Sequence, residues 1–257
     1  MKIHILGCGG GIGGRRGGHT STLMVDDDIL VDCGTGVTSL SLEELTRIDH
    51  VFLTHAHLDH IACLPLMVDA VGDTRNSPVT VHGLEATLTA LKAHIFNGTI
   101  WPDFTRIPSL QRPWMRFEPL VGGESVMLRG CRLTAVPVCH TIPAVAYQLD
   151  SGQASLVVSG DTGGSCPELW TALNKIENLR TLLIETSFPE CDRALADLSG
   201  HLCPGLLAEG LERLRGTPDI YITHTKPGQT AQILREVQSR LPARRIQMLN
   251  DGQEFTL

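Results

Sequence analysis

The stretch Thr54-His55-Ala56-His57-Leu58-Asp59-His60, directly after the apolar run Val51 to Leu53, constrains this chain more than any other feature. Imidazoles and a carboxylate packed this densely are costly to bury unless they bind something. In an extended segment the side-chain period of two puts His55, His57 and Asp59 on one side. If the chain turns into a helix at Asp59, His60 swings toward the same mouth. Imidazole and carboxylate are the ligands that divalent zinc, manganese and iron take, and such a density can serve two ions. The fold therefore has to hold a strand end and a helix start at one place.

Material for a rigid frame is present. The 257 residues are 42% hydrophobic and 19% charged, which supplies a sizeable core and excludes a disordered chain. Strands are expected at Lys2 to Leu6, Thr20 to Val25, Ile29 to Asp32 and Val51 to Thr54, each bounded by Gly or Asp turn signals. Helical spacing follows through Ile61 to Val71 and Leu84 to Ile95. A second strand set covers Met115 to Phe117, Ser125 to Leu128, Arg132 to Pro137, Ala144 to Leu149 and Ser155 to Ser159. Strands at Leu182 to Glu185 and Ile220 to Thr223 then flank a helix at Leu206 to Leu214. Two strand-rich halves, each trailing helices, predict two packed sheets with helices outside, in one domain over residues 1–257. The segment Asn97 to Trp114 lacks either periodicity and reads as a lid or binding loop.

Several classes are excluded. No apolar run approaches the roughly 18 residues a membrane helix needs, and no signal-peptide pattern is present, so a cytoplasmic protein with no membrane partner is expected. The eight cysteines are scattered without a C-x-x-C motif and read as small, reduced, apolar residues. A net charge of −7 with no Lys/Arg block argues against a nucleic-acid polymer as partner. Gly9 to Gly14 satisfies the G-x-G-x-x-G pattern after a strand, but Arg15-Arg16-Gly17-Gly18 is a poor start for the helix that a dinucleotide site requires. The segment reads instead as a turn between strands or a backbone-amide wall near an anion.

Further candidate ligands are far apart in sequence, each just after a strand: His140, Asp161 and His224. Singly each is weak. Gathered on one sheet edge they supply what a two-metal site lacks, with Asp161 placed to bridge both ions.

The order His55-Ala56-His57-Leu58-Asp59-His60, His140, Asp161, His224 resembles the metallo-β-lactamase superfamily over essentially the whole chain. The resemblance implies an αββα sandwich of two mixed β-sheets. By it, one metal takes His55, His57 and His140, the other Asp59, His60 and His224, and Asp161 bridges them. The metals would be zinc, with manganese or iron as alternatives. Leu249 to Gly252 is similar to that superfamily's closing strand. Within it the chain looks more specifically like the class II cyclic-nucleotide phosphodiesterases, through His57 to His60, Phe96 to Pro102, Glu185 to Pro189, Ser199 to Leu202 and Thr223 to Pro227. It departs from that pattern at Cys63, where Gly or Ser is expected, and at Pro65, in the helix after the motif.

The implied substrate is a small cyclic 3′,5′-nucleotide, opened to the 5′-monophosphate by hydroxide held between two cations roughly 3.5 to 4 Å apart. Asp59 and His201 are the catalytic candidates, His201 as the acid that protonates the leaving 3′ oxygen. Lys226 is a candidate for a phosphate oxygen. Asn97, Trp101 and Phe104 are candidates for holding the base, by stacking in the case of the aromatic rings. Alternatives with the same metals are an RNA 3′-processing nuclease, a thioesterase or a lactonase. A non-catalytic metal or nucleotide sensor would be favoured by a missing ligand, and none is missing. Cyclic AMP against cyclic GMP and the oligomeric state, a homodimer included, stay open.

Overall fold

The computed structural model describes residues 1–13 and 18–257. The chain forms two seven-stranded sheets and a two-stranded ribbon. The first sheet contains β1 (Lys2–Gly7), β2 (Thr22–Val25), β3 (Ile29–Val31), β4 (His50–Phe52) and β5 (Val79–Leu84). After the ribbon β6 (Pro108–Ser109) and β7 (Arg112–Pro113) comes β8 (Met115–Leu120), at one edge. The second sheet is built from β9 (Ser125–Leu128), β10 (Cys131–Pro137), β11 (Val145–Asp150), β12 (Ser155–Val158), β13 (Leu179–Glu185), β14 (Asp219–Thr223) and β15 (Ile246–Met248). The last strand, β16 (Glu254–Thr256), returns to pair antiparallel with β1, giving the order β16-β1-β2-β3-β4-β5-β8 opposite β15-β14-β13-β12-β11-β10-β9. Both sheets mix parallel and antiparallel pairs.

Strand alternation explains the layering. In β4 Phe52 faces the opposing sheet while Val51 and Leu53 face the other way. In β13 Leu183 faces inward while Leu182 and Ile184 face outward. The result is three apolar layers. Ile3, Ile5, Val31 and Phe52 meet Val145, Tyr147, Leu156 and Leu183 between the sheets. Helices α1 (Leu42–Arg47), α2 (Leu58–Ile61), α3 (Leu64–Val71) and α4 (Glu85–His94) lie on the first sheet's side. On the second sheet's side are α5 (Pro167–Leu173), α6 (Arg193–Ser199), α7 (Pro204–Leu211) and α8 (Thr230–Arg240). The architecture is the αββα sandwich expected.

Local differences have local causes. The helix expected over Ile61 to Val71 is two helices, because Pro65 lacks the N–H a continuous helix would need and sits in the first turn of α3, where that N–H has no partner anyway. Leu249 to Gly252 is the turn between β15 and β16, not a strand; Gly252 has φ of +82°, the left-handed region that glycine enters at least cost. All eight cysteines are free thiols, and Cys33, Cys63, Cys131, Cys166 and Cys203 are buried. No helix among the described residues is long and apolar enough to cross a membrane.

Asn97 to Trp114 packs onto the first sheet rather than standing over a cleft. Phe104 is 1% exposed and touches Trp114, with ring centroids 5.1 Å apart, and its carbonyl accepts from Met115 at the start of β8. Asn97 Oδ1 accepts from the amides of Thr99 and Ile100, while its Nδ2 donates to the Ala93 carbonyl, so its polar atoms close the turn after α4. Trp101 is half-buried against the same layer. The expectation that Phe104 holds a base is thereby corrected, since its ring is core, while the polar atoms of Asn97 are taken up in the turn. Phe104→Ala is expected to lower stability by about 3 to 5 kcal/mol, read from urea unfolding.

Candidate metal centre

Parallel strand direction gathers the ligand candidates. Strands β12, β13 and β14 run parallel, and β10 runs the same way because it is two antiparallel steps from β12. Their C-terminal ends therefore share one edge, which carries His140 after β10, Asp161 after β12, Glu185 at the end of β13 and His224 after β14. β4 brings its own end to the same place, where the Val145 amide donates to the Thr54 carbonyl at 3.0 Å. The chain then stays extended to His57, which caps α2 with φ of −66° and ψ of 147°. Asp59 and His60 fall in the single turn of that helix.

All seven expected ligands come together. His55, His57, His140 and Asp161 form one group and Asp59, His60 and His224 a second, each with its ligand atoms within 4.8 Å of one another. Asp161 faces both: its Oδ2 is 3.5 Å from His55 Nε2, and its Oδ1 is 3.4 Å from His60 Nε2 and 3.3 Å from His224 Nε2. His55 Nε2 and Asp161 Oδ1 are buried without a hydrogen-bond partner. Such orphaned atoms are costly in a folded interior, and a cation between them would satisfy them, so the donor set fits a pair of divalent metals.

The opposite edge of most of these rings is held by the protein. His140 Nδ1 donates to the Gly200 carbonyl at 2.8 Å, and His60 Nδ1 lies 2.6 Å from Asp32. His55 Nδ1 is 3.0 Å from Thr54 Oγ1, and His224 Nδ1 is 3.0 Å from Ser187 Oγ. Each contact leaves Nε2 pointing at the centre, the arrangement that orients imidazole ligands. Gly200 has to be glycine here, since it ends α6 at φ of +66° and a Cβ would lie 3.1 Å from His140 Nδ1.

The electrostatics separate the two groups. Burial pushes His55 down to about 2, and burial likewise lowers His57 and His140, leaving neutral imidazoles, the form that binds metal. Burial works against charge on His60 too, but Asp161 and Asp32 outweigh it and hold His60 well above its usual value. Burial would raise Asp59, yet its hydrogen bond from His224 and the His60 charge hold it low.

His201 lies beside both groups, its ring centroid 5.0 Å from that of His140 and 5.5 Å from that of His224. Its Nδ1 is 2.7 Å from Glu185 Oε1 and 3.2 Å from Ser187 Oγ. Burial opposes its protonation, but the Glu185 hydrogen bond and charge prevail and raise it. With Asp161 and His224 it also makes a third group within 4.8 Å. Lys226 Nζ donates to the Gly10 carbonyl at 3.0 Å and lies 5.8 Å over the Phe188 ring, so its ammonium ties the glycine turn to this wall.

Gly9 and Gly10 sit at close backbone approaches. Gly9 bridges to Thr20 and Thr225, and a Cβ on Gly10 would stand 2.3 Å from the His224 carbonyl. Gly14 to Gly17 lie outside the described residues. His224 itself has φ of +60°, a strained conformation for a non-glycine residue at a functional site.

Sequence reasoning missed Asp32, and it named Glu185 and Ser187 only within the stretch Glu185 to Pro189 that carries the resemblance, without a supporting role. Asp32 ends a strand with φ of +60°, accepts from the Thr54 amide at 2.8 Å and is fully buried. A buried carboxylate at a strand end was the available signal.

A sandwich with imidazoles and carboxylates converging between its sheet edges defines a class of metal-dependent proteins. Residues 27–247 match the model of the beta-lactamase superfamily domain, and the chain belongs to that family. It is 30% identical over 236 residues to a probable 3′,5′-cyclic-nucleotide phosphodiesterase of Yersinia pestis, covering 82% of this chain and 66% of that one. It is 26% identical over 156 residues to a ribonuclease Z of Metallosphaera sedula, covering 58% of this chain and 48% of the other. The chain thus spans about half to two thirds of the length of these relatives. The crystal structure of unliganded yeast PDE1 shares the fold, with a TM-score of 0.82 at 21% identity over 100% of this chain and 99% of that one.

Proposed function

We propose that the protein is a binuclear metal-dependent phosphodiesterase that opens 3′,5′-cyclic nucleotides to 5′-monophosphates. The observation that carries this reading is the Glu185–His201 pair, 2.7 Å apart and set against both groups of the His/Asp cluster. In this reading His55, His57 and His140 hold one cation, Asp59, His60 and His224 the other, and Asp161 spans the two. Bound there, two divalent ions supply a water of lowered pKa and neutralise the phosphoryl oxygens. The chain's own residues do the rest. Glu185 fixes His201 through Nδ1 and keeps the ring protonated, so that Nε2 is the atom that delivers a proton to the departing 3′ oxygen. Ser187 locks His224 and His201 in one hydrogen-bonded row.

Both curated relatives are named for phosphodiester chemistry, and the ribonuclease Z likeness favours a second reading, cleavage of RNA. The cyclic nucleotide is preferred because that likeness extends further along the chain and because a net charge of −7 suits a small monoanion better than a polymer. Purified, metal-loaded protein is expected to release 5′-AMP or 5′-GMP from the cyclic monophosphate and to act weakly on a tRNA precursor. Cleavage of the precursor with no cyclic-nucleotide turnover would replace this reading with the second.

Asp32 supports the site from behind, so Asp32→Ala is expected to weaken metal affinity by about 10- to 100-fold. Competition against a chelator measures it; an unchanged affinity would make the His60–Asp32 contact purely architectural.

A further inference from the structure

Among the described residues, one further group of ligand-capable side chains closes on itself beside the His/Asp centre. Cys139 lies just beyond β10, Cys166 just before α5 and Glu168 in the first turn of α5, and their two sulfurs and a carboxylate oxygen fall within 4.8 Å of one another. We propose that Cys139, Cys166 and Glu168 form an additional cation site, selective for a thiophilic ion of the zinc type and distinct from the His/Asp centre.

The geometry is close to what such an ion asks for. Tetrahedral zinc with bonds of about 2.3 Å to sulfur and about 2.1 Å to oxygen sets a sulfur–oxygen edge of about 3.6 Å. The Cys139 Sγ to Glu168 Oε2 distance is 3.6 Å. The corresponding sulfur–sulfur edge is about 3.8 Å, which the cluster reaches with side-chain shifts of about 1 Å or less. Access is built in as well. Cys166 is fully buried, Cys139 is half-buried, and exposed Glu168 lines a groove of about 990 Å³ together with Pro137, Pro167 and Thr171.

The donor type separates this site from its neighbour. Two sulfurs favour zinc, cadmium or copper(I), whereas imidazole and carboxylate also accept manganese and iron. The site also grips the segments that carry two of the candidate ligands. Cys139 precedes His140 and its carbonyl accepts from Gly163 at 2.7 Å, while Cys166 follows Asp161 by one short loop. An ion here pins both segments at once. The proposal does not depend on the substrate reading above.

Cobalt(II) titration of the full chain tests it, because only thiolate ligation gives intense sulfur-to-cobalt charge-transfer absorption in the near ultraviolet. Wild type is expected to develop that band with about one ion per chain beyond those of the His/Asp centre. Cys166→Ser should abolish the band and leave the weaker visible bands of the His/Asp centre. Glu168→Ala, at an exposed position, should weaken the extra ion's binding by about 10-fold or more. Absence of the charge-transfer band in reduced wild type would overturn the proposal. So would full cobalt affinity at the thiols in Glu168→Ala.

Discussion

Asp161→Ala is expected to abolish turnover, by about 10³-fold or more, and to remove metal from both halves of the site. The reason is positional. Asp161 is the one carboxylate whose two oxygens face different histidine groups, Oδ2 toward His55 and Oδ1 toward His60 and His224. Metal ions contribute several kcal/mol of charge stabilisation to phosphoryl transfer, and each 1.36 kcal/mol is tenfold in rate. Burial penalises the Asp161 charge, yet His224 and His60 hold its carboxyl well below the usual range, the ionised form that would accept a cation. In the Cys166→Ser background, which blocks the thiol site, elemental analysis should show about two transition-metal ions per chain, and fewer than one once Asp161→Ala is added. His57→Ala, whose ring lies in only the first group, should lose metal from that half alone. One ion or fewer in fully active protein would defeat the binuclear assignment.

His201→Ala is expected to lower kcat by about 10² to 10⁴ while the metal content stays unchanged. The loss should shrink on bis(p-nitrophenyl) phosphate, whose leaving group departs as a stable anion and needs little protonation. Equal losses on both substrates would remove His201 from the acid role, and a loss of metal would make it a ligand, as its grouping with Asp161 and His224 allows. Glu185 supplies a further check. Its contact raises the His201 pKa, so the protonated acid persists to higher pH and activity is lost as pH rises through that raised value. In Glu185→Gln the support is gone, and the alkaline limb of kcat should move to lower pH.

The metal motif was legible because its chemistry is local. His55 to His60 sit on one strand end and one helical turn, so the backbone periods alone predict which side chains converge. The two-layer sandwich was legible for a related reason: alternation in the strands and helical spacing after them state which faces are apolar. The separate candidate ligands His140, Asp161 and His224 were visible only as strand-end residues in an expected order, since nothing in one dimension says which strand ends become neighbours.

Tertiary structure alone decided the rest. Parallel pairing of β13 with β14 sets Ser187 against His224, and the return of the chain after α6 brings His201 to Glu185 across 16 residues of sequence. Asp32 joined the site through the pairing of β3 with β4, which sets its carboxylate at the Thr54 amide. The loop from Asn97 shows the reverse case. Its aromatic residues resemble a base-binding surface in composition, but burial against Trp114 and Met115 was worth more to Phe104 than exposure, and only the packed chain shows which demand prevails. Sequence determined the ligand types and their local spacing, because those follow from backbone geometry. Their supporting contacts depended on long-range strand order, which the whole hydrophobic core fixes together.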